Sequence, residues 1–177
     1  SEARRSMKLI NDMLSLAELE SLKAKPMDQE VDLKVLVLDV LKSLDVKIKA
    51  KGLKVVVDLE DAILKGSLED FRKLVENLID NAIKYNKEQG LIKVAIKEGK
   101  DEIALSVEDT GIGIKQKEQK KIYERFYRVD KGRSQEVEGT GLGLAIVKYV
   151  VLAYDARIEL DSTLGLGSKF TVYFKKA

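Results

Sequence analysis

The spacing of apolar residues changes along the chain between the period of a helix and that of a strand. The most regular helix is predicted after Ser67, which caps it, with Glu69 and Asp70 in its first turn. A second helix is predicted after Asp32, which is placed to cap it. The predicted buried stripe of the first helix is Leu68, Phe71, Leu74, Val75, Leu78, Ile79, Ala82 and Ile83, and that of the second is Leu33, Leu36, Val37, Val40, Leu41 and Leu44.

Runs of β-branched and alternating residues predict five strands. They are residues 53–59, 91–97, 102–108, 157–160 and 169–174. Residues 98–101 join two of them as a hairpin, and a further helix is predicted over residues 115–123. Strands and helices in mixed order with a hairpin favour an α+β fold, a two-layer α/β sandwich, over a doubly wound sheet.

One helix precedes this globular part. Ala3, Met7, Ile10, Leu14 and Ala17 follow one another at steps of four and three, the spacing of a coiled-coil seam. A helix lying on the core of its own domain fits the pattern equally well. We expect this helix to occupy residues 1–24, a linker containing Pro26 to occupy 25–31, and the globular domain to occupy 32–177. Two incomplete heptads predict a monomer.

Composition narrows the classes of function. The 177 residues are 45% hydrophobic and 35% charged, which is typical of one globular domain, with or without an appendage. A net charge of +2 implies neither nucleic acid nor a membrane surface as a partner. The chain has no cysteine, which excludes disulfides and thiolate metal sites. It also has no histidine, so no histidine of this chain can act in catalysis or bind a metal.

An acidic residue followed by glycines forms the first candidate site. Asp109 comes directly after a predicted strand, and Gly111 and Gly113 follow it. Glycines let a ligand approach the main chain, and a carboxylate beside them suits a flat ligand with a hydrogen-bond donor on its edge. The same pattern also fits a simple turn after a strand.

A second glycine cluster, residues 139–144, opens an apolar helix. The free N–H groups and the dipole of a helix N-terminus favour phosphate. A dinucleotide-binding fingerprint would need a strand just upstream, but residues 130–135 are polar and loop-like.

A polar row beside the buried stripe of the most regular helix forms a third candidate. Asn77, Asn81 and Lys84 are spaced four and three residues apart and therefore share one face. An amide oxygen could bind a metal there and an ammonium could meet a phosphate. The alternative is an ordinary solvated flank.

Together these stretches resemble the catalytic, ATP-binding domain of sensor histidine kinases, whose fold is shared with DNA gyrase, a heat-shock chaperone and mismatch-repair ATPases. Four motifs occur in the family's order. The asparagine box is residues 76–85, the first glycine box 109–113, the phenylalanine box 123–128 and the second glycine box 139–144. Residues 167–170, Gly-Ser-Lys-Phe, match as well.

The resemblance implies ATP and Mg²⁺ as ligands. Asp109 would accept a hydrogen bond from the adenine amine, Asn81 would hold Mg²⁺, and Arg128 would stabilise charge on the transferred phosphoryl group. Asn77 stands where related ATPases carry a water-activating glutamate, so ATP would be kept for another nucleophile. The implied nucleotide-binding set is Asn77, Asn81, Lys84, Tyr85, Asp109, Gly111, Gly113, Ile114, Tyr127, Arg128, Gly139, Thr140, Gly141, Leu142, Gly143, Leu144 and Ser168. A mobile lid would run from about Arg128 to the second glycine box.

The phosphoacceptor histidine would lie outside this chain. Residues 10–20 resemble the second helix of the family's dimerisation and phosphoacceptor hairpin. We therefore expect a truncated piece of a homodimeric kinase that binds ATP, cannot autophosphorylate, and belongs to a relay ending on the receiver domain of a response regulator. We expect it to be cytoplasmic and leave open whether the parent is anchored in a membrane. Residues 154–156, Tyr-Asp-Ala, replace the family's frequent His-Gly-Gly turn, and we expect a local change there without loss of nucleotide binding.

Two alternatives stay open. One is a serine kinase of the anti-sigma type, against which the opening helix and the phenylalanine box argue. The other is a degenerate interaction module that binds no nucleotide, against which Asn81, Asp109 and the lid glycines argue.

Overall fold

Five strands form one sheet, and helices cover one of its faces. The computed structural model describes residues 1–21, 29–129 and 139–176. The helices are α1 Glu2–Glu20, α2 Leu33–Ser43, α3 Asp45–Ala50, α4 Leu68–Lys84 and α5 Gly143–Ala153. The strands are β1 Glu30–Asp32, β2 Lys54–Leu59, β3 Ile63–Lys65, β4 Leu91–Glu98, β5 Glu102–Asp109, β6 Arg157–Thr163 and β7 Gly167–Lys175.

The order of the strands in the sheet is β2-β4-β5-β7-β6, with only the β2–β4 pair parallel. β1 and β3 form a separate antiparallel pair. Alternate residues of β5, namely Ile103, Leu105 and Val107, are buried with the apolar stripe of α4 in the main core. The predicted α+β two-layer sandwich is confirmed.

The two predicted helix caps are present. Ser67 Oγ accepts a hydrogen bond from the Asp70 N–H at 3.4 Å, and Asp32 Oδ1 accepts one from the Val35 N–H at 3.0 Å. The predicted stripe of α4 is buried except for Leu68, which is 48% exposed because it lies in the first turn at the edge of the core.

The helix predicted over residues 115–123 is wrong. Only Gln116–Glu118 form a single 3-10 turn, and further turns follow. Ile122 alone is fully buried there, so the segment has no apolar stripe to hold a helix against the core. Three further elements, α3, β1 and β3, were not predicted, because they are too short to show a period.

The first helix lies on its own domain. Leu16 is buried against Leu142, Ala145 and Ile146 at the start of α5. The seam with coiled-coil spacing faces the other way, and Met7, Ile10 and Leu14 on it are exposed. One face of α1 therefore packs on its own domain, and the other keeps an exposed apolar seam with coiled-coil spacing. That this chain is a monomer stays a prediction. No helix of the described ranges is long and apolar enough to span a bilayer.

Residues 25–28 of the predicted linker, like residues 22–24 of the predicted helix, lie outside the described residues. The last two residues of the linker, Glu30 and Val31, belong to β1. The predicted domain boundaries stay predictions.

Tyr154 ties the end of α5 to the start of α4. Its hydroxyl donates to Asp70 Oδ2 at 2.8 Å and accepts the Ser67 N–H at 3.0 Å. Its ring lies 4.6 Å from the ring of Phe71, and burial raises the pKa of Tyr154 to about 12. Tyr154 is therefore a structural link between two helices, and the local change expected at residues 154–156 stays a prediction.

We expect Tyr154→Phe to lower the free energy of unfolding by about 1–3 kcal/mol, because buried Asp70 and the Ser67 N–H each lose a hydrogen-bond partner. Urea denaturation measures this. Tyr173→Phe is the matched control, since the Tyr173 ring lies 3.8 Å from the Arg157 guanidinium and the change leaves that stacking in place. Equal losses in the two variants would contradict the assigned role of the Tyr154 hydroxyl.

Candidate functional site

Asp109 is held at the end of a central strand. It is the last residue of β5 and lies between Ile92 of β4 and Ser168 of β7. Its buried carboxylate accepts the Gly111 N–H at 2.8 Å and also a backbone hydrogen bond from Ser168. Burial raises the pKa of Asp109, and these hydrogen bonds oppose the rise. The structure thus places a fixed, desolvated acceptor where the sequence predicted an anchor.

The first glycine box lies against the end of α4. A Cβ on Gly111 would lie 2.0 Å from the Tyr85 carbonyl oxygen, which also accepts the Ile112 N–H at 3.1 Å. Gly113 has φ +67°, which favours glycine. This close approach puts Asp109 beside the last turn of α4.

Two serines extend the strand end around Asp109. Ser162 Oγ accepts the Ile114 N–H at 2.8 Å and lies 2.8 Å from Ser168 Oγ. Ser162 was not among the expected site residues, because the strand was predicted to end at residue 160, whereas β6 continues to Thr163. The alternation of residues 157–163 was the signal available.

A buried amide braces the same loop. Asn86 Oδ1 accepts the Thr110 hydroxyl at 3.1 Å, and Asn86 Nδ2 donates to the Leu91 carbonyl at 3.0 Å. The Leu91 N–H in turn donates to Thr110 Oγ1 at 2.9 Å. Asn86 was not among the expected site residues, since nothing in the sequence distinguishes it from a solvated asparagine after a helix.

The predicted phosphate side gathers at the other glycine box. A Cβ on Gly139 would lie 3.9 Å from the Lys84 ammonium and 3.8 Å from Arg128 Nη2. Arg128 Nη1 donates to the Gly139 carbonyl at 3.2 Å. Two cations therefore meet at the start of the second box. The predicted lid runs from about Arg128 to the second glycine box, and its residues 130–138 lie outside the described part of the chain.

The polar row on α4 separates into distinct roles. Asn77 Nδ2 donates to the Lys73 carbonyl at 2.7 Å, and a Cβ on Gly143 would lie 2.8 Å from Asn77 Oδ1. Asn77 therefore packs against the first turn of α5. Asn81, half-buried one turn further on, makes no side-chain hydrogen bond to any residue that the structure describes. Its amide oxygen is free to accept an ion.

The described side chains can supply only part of the coordination of a magnesium ion at this site. Mg²⁺ is coordinated by amide and phosphate oxygens, and Asn81 can supply one amide oxygen. Within residues 1–21, 29–129 and 139–176, no group of three or more acidic, histidine or cysteine side chains could hold a metal. Most of the coordination would come from phosphate oxygens and water.

The rest of the second glycine box faces α1 and the phenylalanine box. Thr140 Oγ1 donates to Asp12 Oδ2 at 2.5 Å, and Leu142 is fully buried in the cluster around Leu16. Gly141, with φ +74°, accepts the Phe126 N–H at 2.9 Å. The predicted contacts Ile114, Tyr127 and Leu144 are partly buried and pack against the main core, and Tyr85 is half-buried.

The last turns of α4 therefore contact two chemically different parts of the site. Tyr85 contacts the loop that holds Asp109, and Lys84 meets Arg128 at Gly139. A buried carboxylate at one end suits a donor on a flat ring, and paired cations near a helix N-terminus suit phosphates.

Comparisons with known proteins agree with this arrangement. Residues 66–177 match the family described as "Histidine kinase-, DNA gyrase B-, and HSP90-like ATPase". The phosphate regulon sensor protein PhoR of Pseudomonas aeruginosa is 37% identical over 99% of this chain and 40% of its own length. The sensor histidine kinase WalK of Bacillus subtilis is 34% identical over 97% of this chain and 28% of its own. The chain thus spans less than half of these relatives.

Solved structures share the fold. The mycobacterial sensor histidine kinase MprB matches with a TM-score of 0.73 at 25% identity, covering 84% of this chain and 97% of that one. Full-length ShkA, crystallised in complex with AMPPNP, matches with a TM-score of 0.83 at 24% identity, covering 99% of this chain and 37% of that one.

We expect Gly111→Ala to lower the free energy of unfolding by about 2–4 kcal/mol, because its Cβ collides with backbone at the end of α4. Gly139→Ala is the matched control: its nearest neighbours are side-chain tips at ordinary contact distance, so the change should stay within about 0.5 kcal/mol. Thermal and urea unfolding measure both. Similar stabilities would show that the first box does not need its glycine.

The raised pKa of Asp109 gives stability a definite dependence on pH. The folded chain holds the carboxyl proton more tightly than the unfolded chain, so ionised Asp109 destabilises the fold above the folded-state pKa. This loss disappears below the ordinary carboxyl pKa. Asp109→Asn should therefore raise the free energy of unfolding near neutral pH, with a gain that shrinks towards zero in acid.

Urea denaturation across this pH range tests the sign. Asp58→Asn is the control, because a hydrogen bond and an ion pair with Lys97 lower the pKa of exposed Asp58, so no gain is expected there. A loss of stability in Asp109→Asn at every pH would mean that the hydrogen bonds from Gly111 and Ser168 outweigh burial.

Proposed function

Because the chain belongs to the histidine kinase-, DNA gyrase B- and HSP90-like ATPase family, we propose that it is the ATP-binding catalytic domain of a two-component sensor histidine kinase. It would transfer the γ-phosphoryl group of ATP to a histidine, for relay to an aspartate of a response regulator. The observation that carries the proposal is the buried Asp109 carboxylate, fixed by Gly111 and Ser168 beside the last turn of α4.

Asp109 accepts the hydrogen bond of the adenine amine, and the Ser162–Ser168 pair beside it supports a bridging water. Ile114 and Tyr85 border the base. Lys84 and Arg128, which meet at Gly139, contact the phosphates. The base is assigned to the Asp109 side and the phosphates to the side of Lys84 and Arg128, because the last turns of α4 contact both.

Asn81 would hold Mg²⁺ through its amide oxygen, and the bound ion would neutralise charge on the phosphates. Arg128 stabilises the charge that develops on the transferred group. Asn77 is a poor base because an amide does not take up a proton at neutral pH, and its nitrogen already donates to Lys73. ATP is therefore held for a nucleophile other than water.

The acceptor histidine comes from another segment, since this chain has no histidine. The exposed stripe of Met7, Ile10 and Leu14 on α1 suits a helix that completes a hairpin, as in the parent homodimer. We also propose that the parent kinase binds a response regulator. This chain alone is still predicted to be a monomer.

Calorimetric titration of ATP with Mg²⁺ tests the proposal. Asp109→Asn should weaken binding by about tenfold or more, because an amide replaces the charged acceptor of the adenine amine. Asp58→Asn removes a carboxylate from the exposed face of β2 and should bind like the parent. Equal binding by the parent and Asp109→Asn would place the nucleotide elsewhere. Absence of binding in both would favour a nucleotide-free interaction module.

Labelled ATP identifies the acceptor. The chain is incubated separately with a histidine-bearing hairpin peptide and with a serine-bearing partner of the anti-sigma type. We expect acid-labile label on the hairpin, as a phosphorylated histidine gives. Acid-stable label on serine alone would overturn the histidine kinase assignment while keeping the ATP site.

A further inference from the structure

Asp80 joins three lysines beside the proposed phosphate site. It lies on α4 with its side chain 11% exposed. Its Oδ2 atom accepts from Lys84 at 2.8 Å and from Lys8 at 3.2 Å, and its Oδ1 atom accepts from Lys47 at 3.1 Å. Burial alone would raise the pKa of Asp80, but the ammonium groups hold it well below its usual range. The single carboxylate of Asp80 is thus shared by three ammonium groups.

Lys8 reaches this cluster from the first helix. Because Lys8 and Lys84 share one carboxylate oxygen, their ammonium groups lie side by side. Lys84 is also the ammonium that faces Gly139 and Arg128. Lys47 binds the opposite oxygen of Asp80. Lys8 therefore lies on the phosphate side of the cluster.

The cluster has an excess of positive charge. Burial lowers the pKa of Lys84, the charge on Asp80 opposes this, and repulsion from Lys8 adds to the lowering. Asp12 also attracts the Lys8 ammonium, and its Oδ2 atom accepts the Thr140 hydroxyl, so two carboxylates face three ammonium groups. An incoming polyanion would relieve the repulsion between the two lysines.

We propose that Lys8 of α1 is a phosphate-binding residue of the nucleotide site, and that it contacts the ATP polyphosphate together with Lys84. This inference rests on the proposed function. An ammonium has three donors, and Asp80 takes one from Lys8, which leaves two for phosphate oxygens. The Lys8 side chain is 39% exposed, so a ligand can reach it.

The first helix holds Lys8 in place by contacts elsewhere. Leu16 is buried against α5, and Glu18 pairs with Lys73 of α4 at 3.1 Å. Glu20 accepts the Tyr149 hydroxyl at 2.6 Å. If docked α1 supplies a phosphate contact, ATP binding and docking of α1 favour each other by the same factor.

Titration of ATP with Mg²⁺ into three variants tests the proposal. Lys8→Met should weaken ATP binding by roughly five- to tenfold, less than a fully buried ion contact gives because water partly screens Lys8. Lys47→Met removes the same charge from the other oxygen of Asp80, and Glu18→Gln removes an ion pair that docks α1. Both should bind within about twofold of the parent.

Any other pattern of ATP affinities among the three variants overturns the proposal. Unchanged or tighter binding by Lys8→Met would mean that Lys8 only neutralises Asp80 or competes with the nucleotide. An equal loss in Lys47→Met would mean that the effect passes through Asp80, and an equal loss in Glu18→Gln would mean that docking alone matters. Unfolding midpoints of the three variants verify that each is folded at the titration temperature.

Hydrogen exchange gives a second, independent readout. ATP should slow exchange of the α1 amides in the parent, and less so in Lys8→Met. Faster exchange with ATP would show that the nucleotide expels α1 and would overturn the proposal. Failure of the underlying function looks different, because then the parent binds no ATP or Asp109→Asn binds as the parent does.

Discussion

The close approach of the first glycine box to the end of α4 is the contact on which the site depends. Without a side chain at Gly111, the loop after β5 lies against the Tyr85 carbonyl and gives it the Ile112 N–H. The sheet then delivers Asp109 to the same helix that carries Asn77, Asn81 and Lys84. Any residue with a Cβ at position 111 would separate the sheet end from the helix end.

The site carries charges that the fold would be more stable without. Burial raises the pKa of Asp109 and lowers that of Lys84, so in each case the charged form is disfavoured. The rigid strands β4 and β7 on either side of Asp109, and the well-packed stripe of α4, offset these costs. Such groups are typical of a site selected for a ligand, since a purely structural position would be better filled by an apolar residue.

The first helix contacts this site through apolar and polar residues. Its apolar contact at Leu16 and its polar contacts at Asp12 and Lys8 lie along α5, the second glycine box and α4 in turn. A movement of α1 would therefore change the charge around Lys84 and the partner of Thr140 together. This gives a physical route by which the helix and the proposed nucleotide site can influence each other.

The sequence by itself determined the long elements and the types of chemistry. Period and capping residues specified α4, α2 and the β4–β5 hairpin, because these are local properties of the chain. The glycine boxes and Asp109 were recognisable for the same reason. The helix expected over residues 115–123 failed because its charged residues offered the core no apolar stripe.

Only the tertiary structure decided which of these parts meet. Ser162 and Asn86 have their roles through partners 24 to 48 residues away in sequence, and no local pattern records such pairs. The cluster of Lys8, Lys47 and Lys84 around Asp80 joins three helices in the same way. Lys8 and Lys47 look like ordinary surface residues in the sequence, because a charge acquires its partner only when the helices pack.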